Sequence, residues 1–155
     1  FESIPKKDNQ PDVIVDYSHT PDGLQKVLTS IKELSNEAII HVLFGCGGDR
    51  DKSKRPEMGR ISEEYSAHIY LTSDNPRSEN QMSIINDILT GIKDKSSVYV
   101  NPDRREAIYE AIKSANAQDV VLIAGKGCET YQEVDGTFSS FQDTEVAREA
   151  LEARG

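Results

Sequence analysis

Short apolar runs alternate with amphipathic stretches along nearly the whole chain. Val13-Ile14-Val15, Ile39-Ile40-His41-Val42-Leu43-Phe44, His68-Ile69-Tyr70-Leu71, Val98-Tyr99-Val100 and Val120-Val121-Leu122-Ile123 are rich in β-branched and aromatic residues and read as strands. The second and the last are apolar at almost every position, the pattern of strands covered on both faces. Between the runs, apolar residues recur at helical spacing. Leu24, Val27, Leu28, Ile31 and Leu34 share one face, as do Ala107, Ile108, Ala111, Ile112 and Ala115. Thr20-Pro21 and Asn101-Pro102 each place a capping side chain before a proline, so these two helices are expected to start there. A third helix from about Pro56 is expected to bury Met58, Ile61 and Tyr65, and a fourth Met82, Ile85, Ile88 and Leu89. Asp135-Gly136, between Tyr131–Val134 and the run from Thr137, predicts a small hairpin. A last helix from about Asp143 turns Val146, Ala147, Ala150 and Leu151 inward.

Strand–helix alternation predicts an α/β fold with a parallel sheet and right-handed crossovers. Residues 1–11 are polar, contain two prolines and read as a lead-in segment; residues 12–155 read as one domain without repeats or a linker. The length of 155 residues suits one continuous core but is short for a two-domain, ATP-consuming enzyme. With 36% hydrophobic and 29% charged residues, the composition is that of a soluble globular protein. No apolar run approaches the ~18 residues of a membrane span, and no signal-peptide pattern is present. Cys46 and Cys128 form neither a disulfide framework nor a metal pair, which points to a reducing cytoplasm. The net charge of −9 argues against general binding to nucleic acid or anionic membranes, while leaving local basic pockets open.

In an open α/β sheet, ligands bind beyond the carboxyl ends of the strands, and the unusual residues here follow strands. Asp16-Tyr17-Ser18-His19-Thr20-Pro21-Asp22 contains a helix cap, but a cap requires neither Asp16 nor His19, which are candidate ligand contacts. Gly45-Cys46-Gly47-Gly48-Asp49-Arg50 is followed by Lys52, Lys54 and Arg55. It fails the dinucleotide fingerprint, because Arg50 stands at the third glycine, and it fails as a Walker loop. A solvated charge run is the bland reading; an arginine beside three glycines also suits a carboxylate or phosphate. Ser73-Asp74-Asn75-Pro76-Arg77 reads blandly as a turn, yet it combines an acceptor, an amide and a fork-shaped donor suited to a zwitterionic amino acid. In Ala124-Gly125-Lys126-Gly127-Cys128-Glu129, Glu129 is placed to receive an ammonium group across from Arg77. Cys128 reads as a packing residue, and His41 and His68 as structural.

Taken together, DYSHTPDGL (16–24), FGCGGDRDKSKRPEMG (44–59), SDNPR (73–77), AGKGCETYQ (124–132) and FQDTEVA (141–147) resemble the carboxy-terminal domain of the Mur ligases. These are ATP-dependent amide-bond enzymes of peptidoglycan assembly, and the resemblance is to members that add the third residue of the stem peptide. It implies a Rossmann-like, mostly parallel sheet with one antiparallel strand and helices on both faces; the hairpin at Asp135-Gly136 is a candidate for the exception. It also implies a reaction joining UDP-N-acetylmuramoyl-L-alanyl-D-glutamate to a diamino acid through an acyl phosphate. The DNPR sequence is the mark of members using meso-diaminopimelate. By this resemblance Arg77 holds the distal carboxylate, while Asp74, Asn75 and Arg50 help hold the amino acid, with Arg50 on the carboxylate near the reacting amine. Gly125 and Glu129 take the distal ammonium. Asp16 and His19 fall in the loop that closes over ATP. The resemblance places ATP and Mg²⁺ mainly on a central domain and the UDP-sugar on an amino-terminal one, neither found in these residues. No catalytic residue and no metal ligand is therefore expected here, and the domain alone is expected to be inactive.

Three other readings compete. A lysine-adding ligase of the same family is opposed by Arg77, which has no purpose toward a substrate lacking the second carboxylate. A stand-alone module binding an amino acid or nucleotide is compatible with the length. A folylpolyglutamate synthetase is opposed by the DNPR and GKGCE loops.

Overall fold

A computed structural model describes residues 1–155. The chain runs β1 (Glu2–Ser3), β2 (Asp12–Asp16), α1 (Pro21–Leu34), β3 (Ile40–Phe44), α2 (Lys54–Tyr65), β4 (His68–Leu71) and α3 (Gln81–Leu89). A 3₁₀ turn at Lys95–Ser97 leads into β5 (Val98–Val100), followed by α4 (Arg104–Ser114) and β6 (Val120–Ala124). The hairpin of β7 (Tyr131–Val134) and β8 (Thr137–Ser140) precedes α5 (Asp143–Arg154).

Six strands form one sheet in the order β1-β2-β6-β3-β4-β5. All neighbours are parallel except β1 and β2. The antiparallel exception is thus supplied by the polar lead-in, where Glu2 and Ser3 pair with Val15 and Ile14. The hairpin forms a separate two-stranded sheet. Two residues of pairing carry no legible period, which is why β1 escapes sequence reading.

Alternation along the strands sends side chains to two cores. Ile14, Val42, Phe44, Leu71 and Leu122 meet α1, α2 and α3 on one face, within a cluster of 21 buried residues. Val13, Val15, Leu43, Val121 and Ile123 meet α4 and α5 on the other, within a cluster of 16. Both faces of β3 and β6 are covered, so their uninterrupted apolar sequence is accounted for.

Several sequence expectations shift at their edges. Leu34 ends α1 almost fully exposed, and Met82 faces outward while Ile84 takes its place inside. The helix expected to start at Asn101-Pro102 also shifts: α4 is capped by Asp103, whose side chain accepts from Glu106 N, and Asn101 instead accepts from Asp103 N. Thr20 caps α1 as the sequence predicts, with Pro21 opening the helix. No helix is long and apolar enough to cross a membrane.

Candidate functional site

The loops leaving β2, β3, β4 and β6 converge at the carboxyl edge of the sheet and enclose a cleft of about 540 Å³. Arg50, Asp74, Asn75, Arg77, Gly125, Glu129 and His19 all line it. Asp16 does not; its carboxylate accepts from Ser18 N at 3.0 Å and lies 2.7 Å from the Phe1 nitrogen. A second cleft of similar size lies between α4 and α5, away from these loops.

The loop after β3 is stitched to the loop after β4. Gly48 N donates to Asn75 O at 2.8 Å, and Arg77 Nη1 donates to Gly48 O at 3.0 Å. Gly48 packs so closely that a Cβ would sit 1.8 Å from Pro76 O, so no side chain fits. The basic run in this loop divides into two kinds of residue. Arg50 is exposed and its guanidinium reaches only the Asp49 carbonyl. Arg55 is fully buried and grips Glu79 with two nitrogens, Asp87 at 3.0 Å and Gly47 O at 3.0 Å. That guanidinium holds the Glu79 carboxyl down at about 2. Glu79 in turn accepts from Asp49 N at 2.7 Å, so a buried ion pair anchors the backbone next to Arg50. Arg55 is a structural clamp, correcting its sequence reading as part of a solvated run.

Arg77 stands at φ +52°, a left-handed conformation that costs a residue with a Cβ about 1–2 kcal/mol. The hairpin enforces it: Arg77 N donates to Glu133 O, and Asp135 N donates to Arg77 O at 2.6 Å. Arg77 Nε lies 3.4 Å from Glu133 Oε1, and Nη1 is committed to Gly48 O. The remaining nitrogen, Nη2, makes no hydrogen bond or ion pair within the protein. Arg77 is thus a strained arginine held by three backbone contacts, with little freedom to reorient.

Two carboxylates, Asp74 and Glu129, line the same cleft. Asp74 is buried, and its carboxylate has no hydrogen-bond donor within the protein; burial pushes its acid upward, opposed by Arg104 and Lys126. A Cβ at Gly125 would meet Asp74 Oδ2 at 2.8 Å, and φ +114° there excludes a side chain independently. Gly125 thereby keeps the space beside Asp74 open. Glu129 Oε1 receives Lys126 Nζ at 3.1 Å and Asn75 Nδ2 at 3.4 Å, which leaves Oε2 free. Asn75 is itself buried, with its Oδ1 accepting from Lys126 Nζ at 2.9 Å and Glu133 N at 3.0 Å.

Three further residues support the site and escape sequence reading. Lys126 is fully buried behind Asn75 and Glu129. Arg104 and Asp143, both completely buried, form a bidentate pair at 2.8 and 2.7 Å, and Arg104 also donates to Ser73 O and Ala124 O. Asp143 lies in the FQDTEVA motif and Lys126 in the GKGCE motif, so both motifs flagged the neighbourhood without revealing the role. Two thiols behave differently from one another: burial pushes Cys46 up to about 12, making it inert, whereas Cys128 is exposed rather than a packing residue. His41 is structural as expected, bonded to Asp119 at 2.8 Å and stacked on His68.

The loops, their order and the sheet match known proteins closely. A profile of the Mur ligase glutamate ligase domain matches residues 1–127. The chain belongs to this family. UDP-N-acetylmuramoyl-L-alanyl-D-glutamate–2,6-diaminopimelate ligase of Prochlorococcus marinus subsp. pastoris is 54% identical over 144 residues, covering 93% of this chain and 28% of the relative. The enzyme of the same name from Gloeobacter violaceus is 51% identical over 154 residues, covering 99% of this chain and 31% of its own. A solved structure under that name superposes with a TM-score of 0.90 at 41% identity, over 98% of this chain and 31% of its own. Folylpolyglutamate synthase of Thermotoga maritima shares the fold, with a TM-score of 0.59 at 22% identity, over 81% of this chain and 27% of its own. This Mur ligase domain therefore spans less than a third of the length of the relatives it matches.

Proposed function

We propose that this domain holds the amino acid that an ATP-dependent ligase joins to UDP-N-acetylmuramoyl-L-alanyl-D-glutamate, and that the amino acid is meso-diaminopimelate. The carrying observation is that one cleft is lined by the Arg77 guanidinium together with the carboxylates of Asp74 and Glu129. Diaminopimelate ends in a carbon bearing both a carboxylate and an ammonium, and this pairing of signs complements it. Arg77 receives the distal carboxylate through its free nitrogen, and Glu129 Oε2 takes the distal ammonium beside the open space at Gly125. Arg50 reaches the carboxylate next to the reacting amine, while Asp74 and Asn75 hold the amino acid from below. Fixing the amine in this way supplies orientation, the part of the catalysis that a binding domain can contribute.

ATP and Mg²⁺ belong mainly to the remainder of the enzyme in this reading. No three His, Cys, Asp or Glu side chains cluster here into an all-protein metal cage; a magnesium ion held mainly by nucleotide phosphates needs no such cage. Folylpolyglutamate synthase/dihydrofolate synthase of Yersinia pestis, a fold relative at 17% identity, is described as complexed with AMPPNP and Mn. His19 sits at the rim of the cleft and Asp16 behind it, and the loop between them is the part of this domain that faces a nucleotide on closure. We place the enzyme in the cytoplasm, where its nucleotide-linked substrate and ATP are found together.

The test is substitution of Arg77 by Ala or Lys in the full-length ligase. A hydrogen bond between charged groups contributes about 1.5–3 kcal/mol, so the diaminopimelate KM is expected to rise about ten- to a hundredfold. The ATP KM should stay within about twofold, since Arg77 lies at the amino-acid end. An unchanged diaminopimelate KM refutes the assignment. A wild-type enzyme that prefers lysine replaces it with the lysine-adding reading.

A further inference from the structure

The least expected group in the cleft is Lys126. Its side chain is fully buried, in a loop whose neighbours Gly125 and Gly127 both have positive φ. Burying a lysine is costly unless its ammonium is paired and hydrogen-bonded. Here Nζ donates to Asn75 Oδ1 at 2.9 Å and Glu129 Oε1 at 3.1 Å, and lies 5.5 Å from the centre of the Tyr131 ring. Those two acceptors are the residues placed on the amino acid above.

The same contacts link both ends of the site. Asn75 Oδ1 accepts from Lys126 and also from Glu133 N, while the Glu133 side chain stands 3.4 Å from Arg77 Nε. Lys126 thus joins, through Asn75, the carboxylate that takes an ammonium to the guanidinium that takes a carboxylate. It also fixes the charge at this end of the cleft. Two cations, Arg77 and Lys126, stand against Asp74, Glu129 and Glu133. By occupying Glu129 Oε1, Lys126 leaves one oxygen for a ligand ammonium and offsets part of the negative charge that ammonium meets.

We infer that Lys126 is a positioning residue that sets the choice between a diamino acid with a distal carboxylate and one without. It holds Glu129 and Asn75 in register and offsets the carboxylates that otherwise favour a purely cationic side-chain end. Without its charge, the distal pocket repels the second carboxylate of diaminopimelate more strongly and attracts the lone ammonium of lysine. The inference rests on the proposed function and deepens it, since Lys126 reaches the substrate only through Asn75 and Glu129.

The experiment is Lys126→Met in the full-length ligase, a substitution that keeps length and removes the ammonium. Lys126→Gln, which retains a donor, serves where the methionine variant melts early. Steady-state kinetics are measured with meso-diaminopimelate, L-lysine and ATP as varied substrates. The ratio of kcat/KM for diaminopimelate over lysine should fall about tenfold or more, with the ATP KM within about twofold. Adding Glu129→Gln to the variant removes the charge that Lys126 offsets, and the double variant should recover part of that ratio. A merely structural lysine would lower both amino-acid substrates alike and leave the ratio unchanged, which overturns the inference. So does a double variant whose ratio falls below that of Lys126→Met. A wild-type enzyme preferring lysine overturns the substrate reading, and this inference with it. A wild type preferring diaminopimelate with an unchanged ratio in the variant overturns the inference alone.

Discussion

Arg104 and Asp143 offer the clearest test of how the site is supported. Both side chains are completely buried, and the pair ties α4 to the first turn of α5. Arg104 also donates to Ser73 O at 3.1 Å and Ala124 O at 3.4 Å, the residues just before Asp74 and Gly125. One guanidinium therefore fixes the roots of two loops that line the cleft. Removing one partner of a buried pair costs about 3–5 kcal/mol, because the other is left charged in a dry environment. The two single variants should not be equal. After Arg104→Met, the stranded Asp143 still lies at the N-terminus of α5, where the helix dipole favours a carboxylate by up to ~2 kcal/mol. After Asp143→Leu, the stranded guanidinium keeps hydrogen bonds to two carbonyls alone, and the Asp74 carboxylate acts on it only through space. Asp143→Leu should thus cost about 5 kcal/mol and Arg104→Met about 3. The double variant, apolar at both positions, should cost less than either. Total stability for a domain is about 5–15 kcal/mol, so each effect is large enough to read. Urea unfolding followed by circular dichroism is the assay; with a slope of about 2 kcal/mol/M, the midpoint moves by roughly 1.5–2.5 M. Single variants within about 1 kcal/mol of wild type, or a double variant as costly as the sum of the singles, would refute the reasoning.

Two further outcomes follow from the geometry. Gly48→Ala in the full-length ligase should weaken diaminopimelate binding while circular dichroism stays native, because the added Cβ would sit 1.8 Å from Pro76 O and push the Arg50 loop off the Arg77 turn; an unaltered diaminopimelate KM counts against the close approach. His41 is held below its ordinary value of 6.5 chiefly by burial, with Asp119 opposing. The unfolded chain then binds the extra proton more readily, so stability is full above about pH 6.5 and falls as the pH drops below it. The His41 ring, followed by NMR, should titrate with a midpoint below 6.5, and a midpoint above that value would contradict the structure.

Much of this protein was legible in the order of its residues. The strands with two covered faces were visible because burial leaves no room for polar positions, and the α1 start because Thr20-Pro21 combines a cap with a fixed φ. The loops that line the cleft could be named because a parallel sheet gathers its strand ends on one side, whatever the tertiary detail. Local pattern was silent where a partner lies far along the chain. Arg55 and Arg50 stand in the same basic run, yet only contact with Glu79 and Asp87 makes one a buried clamp and leaves the other free. Arg104 meets Asp143 across 39 residues, and Lys126 meets Asn75 across 51, separations that no periodicity encodes.

The sequence by itself determined the elements, the layer order and the chemical types available at the strand ends, since these follow from hydrophobic period, turn chemistry and motif. The tertiary structure alone decided which charges are spent on one another and which remain for a ligand. Among the cations near the cleft, the buried Arg55, Arg104 and Lys126 are each spent on a carboxylate partner, whereas Arg77 keeps one nitrogen free and Arg50 reaches only its neighbouring carbonyl. Desolvation forces that division: a cation taken out of water must find an opposite charge or hydrogen-bond acceptors at once, and only the folded chain fixes where those partners are.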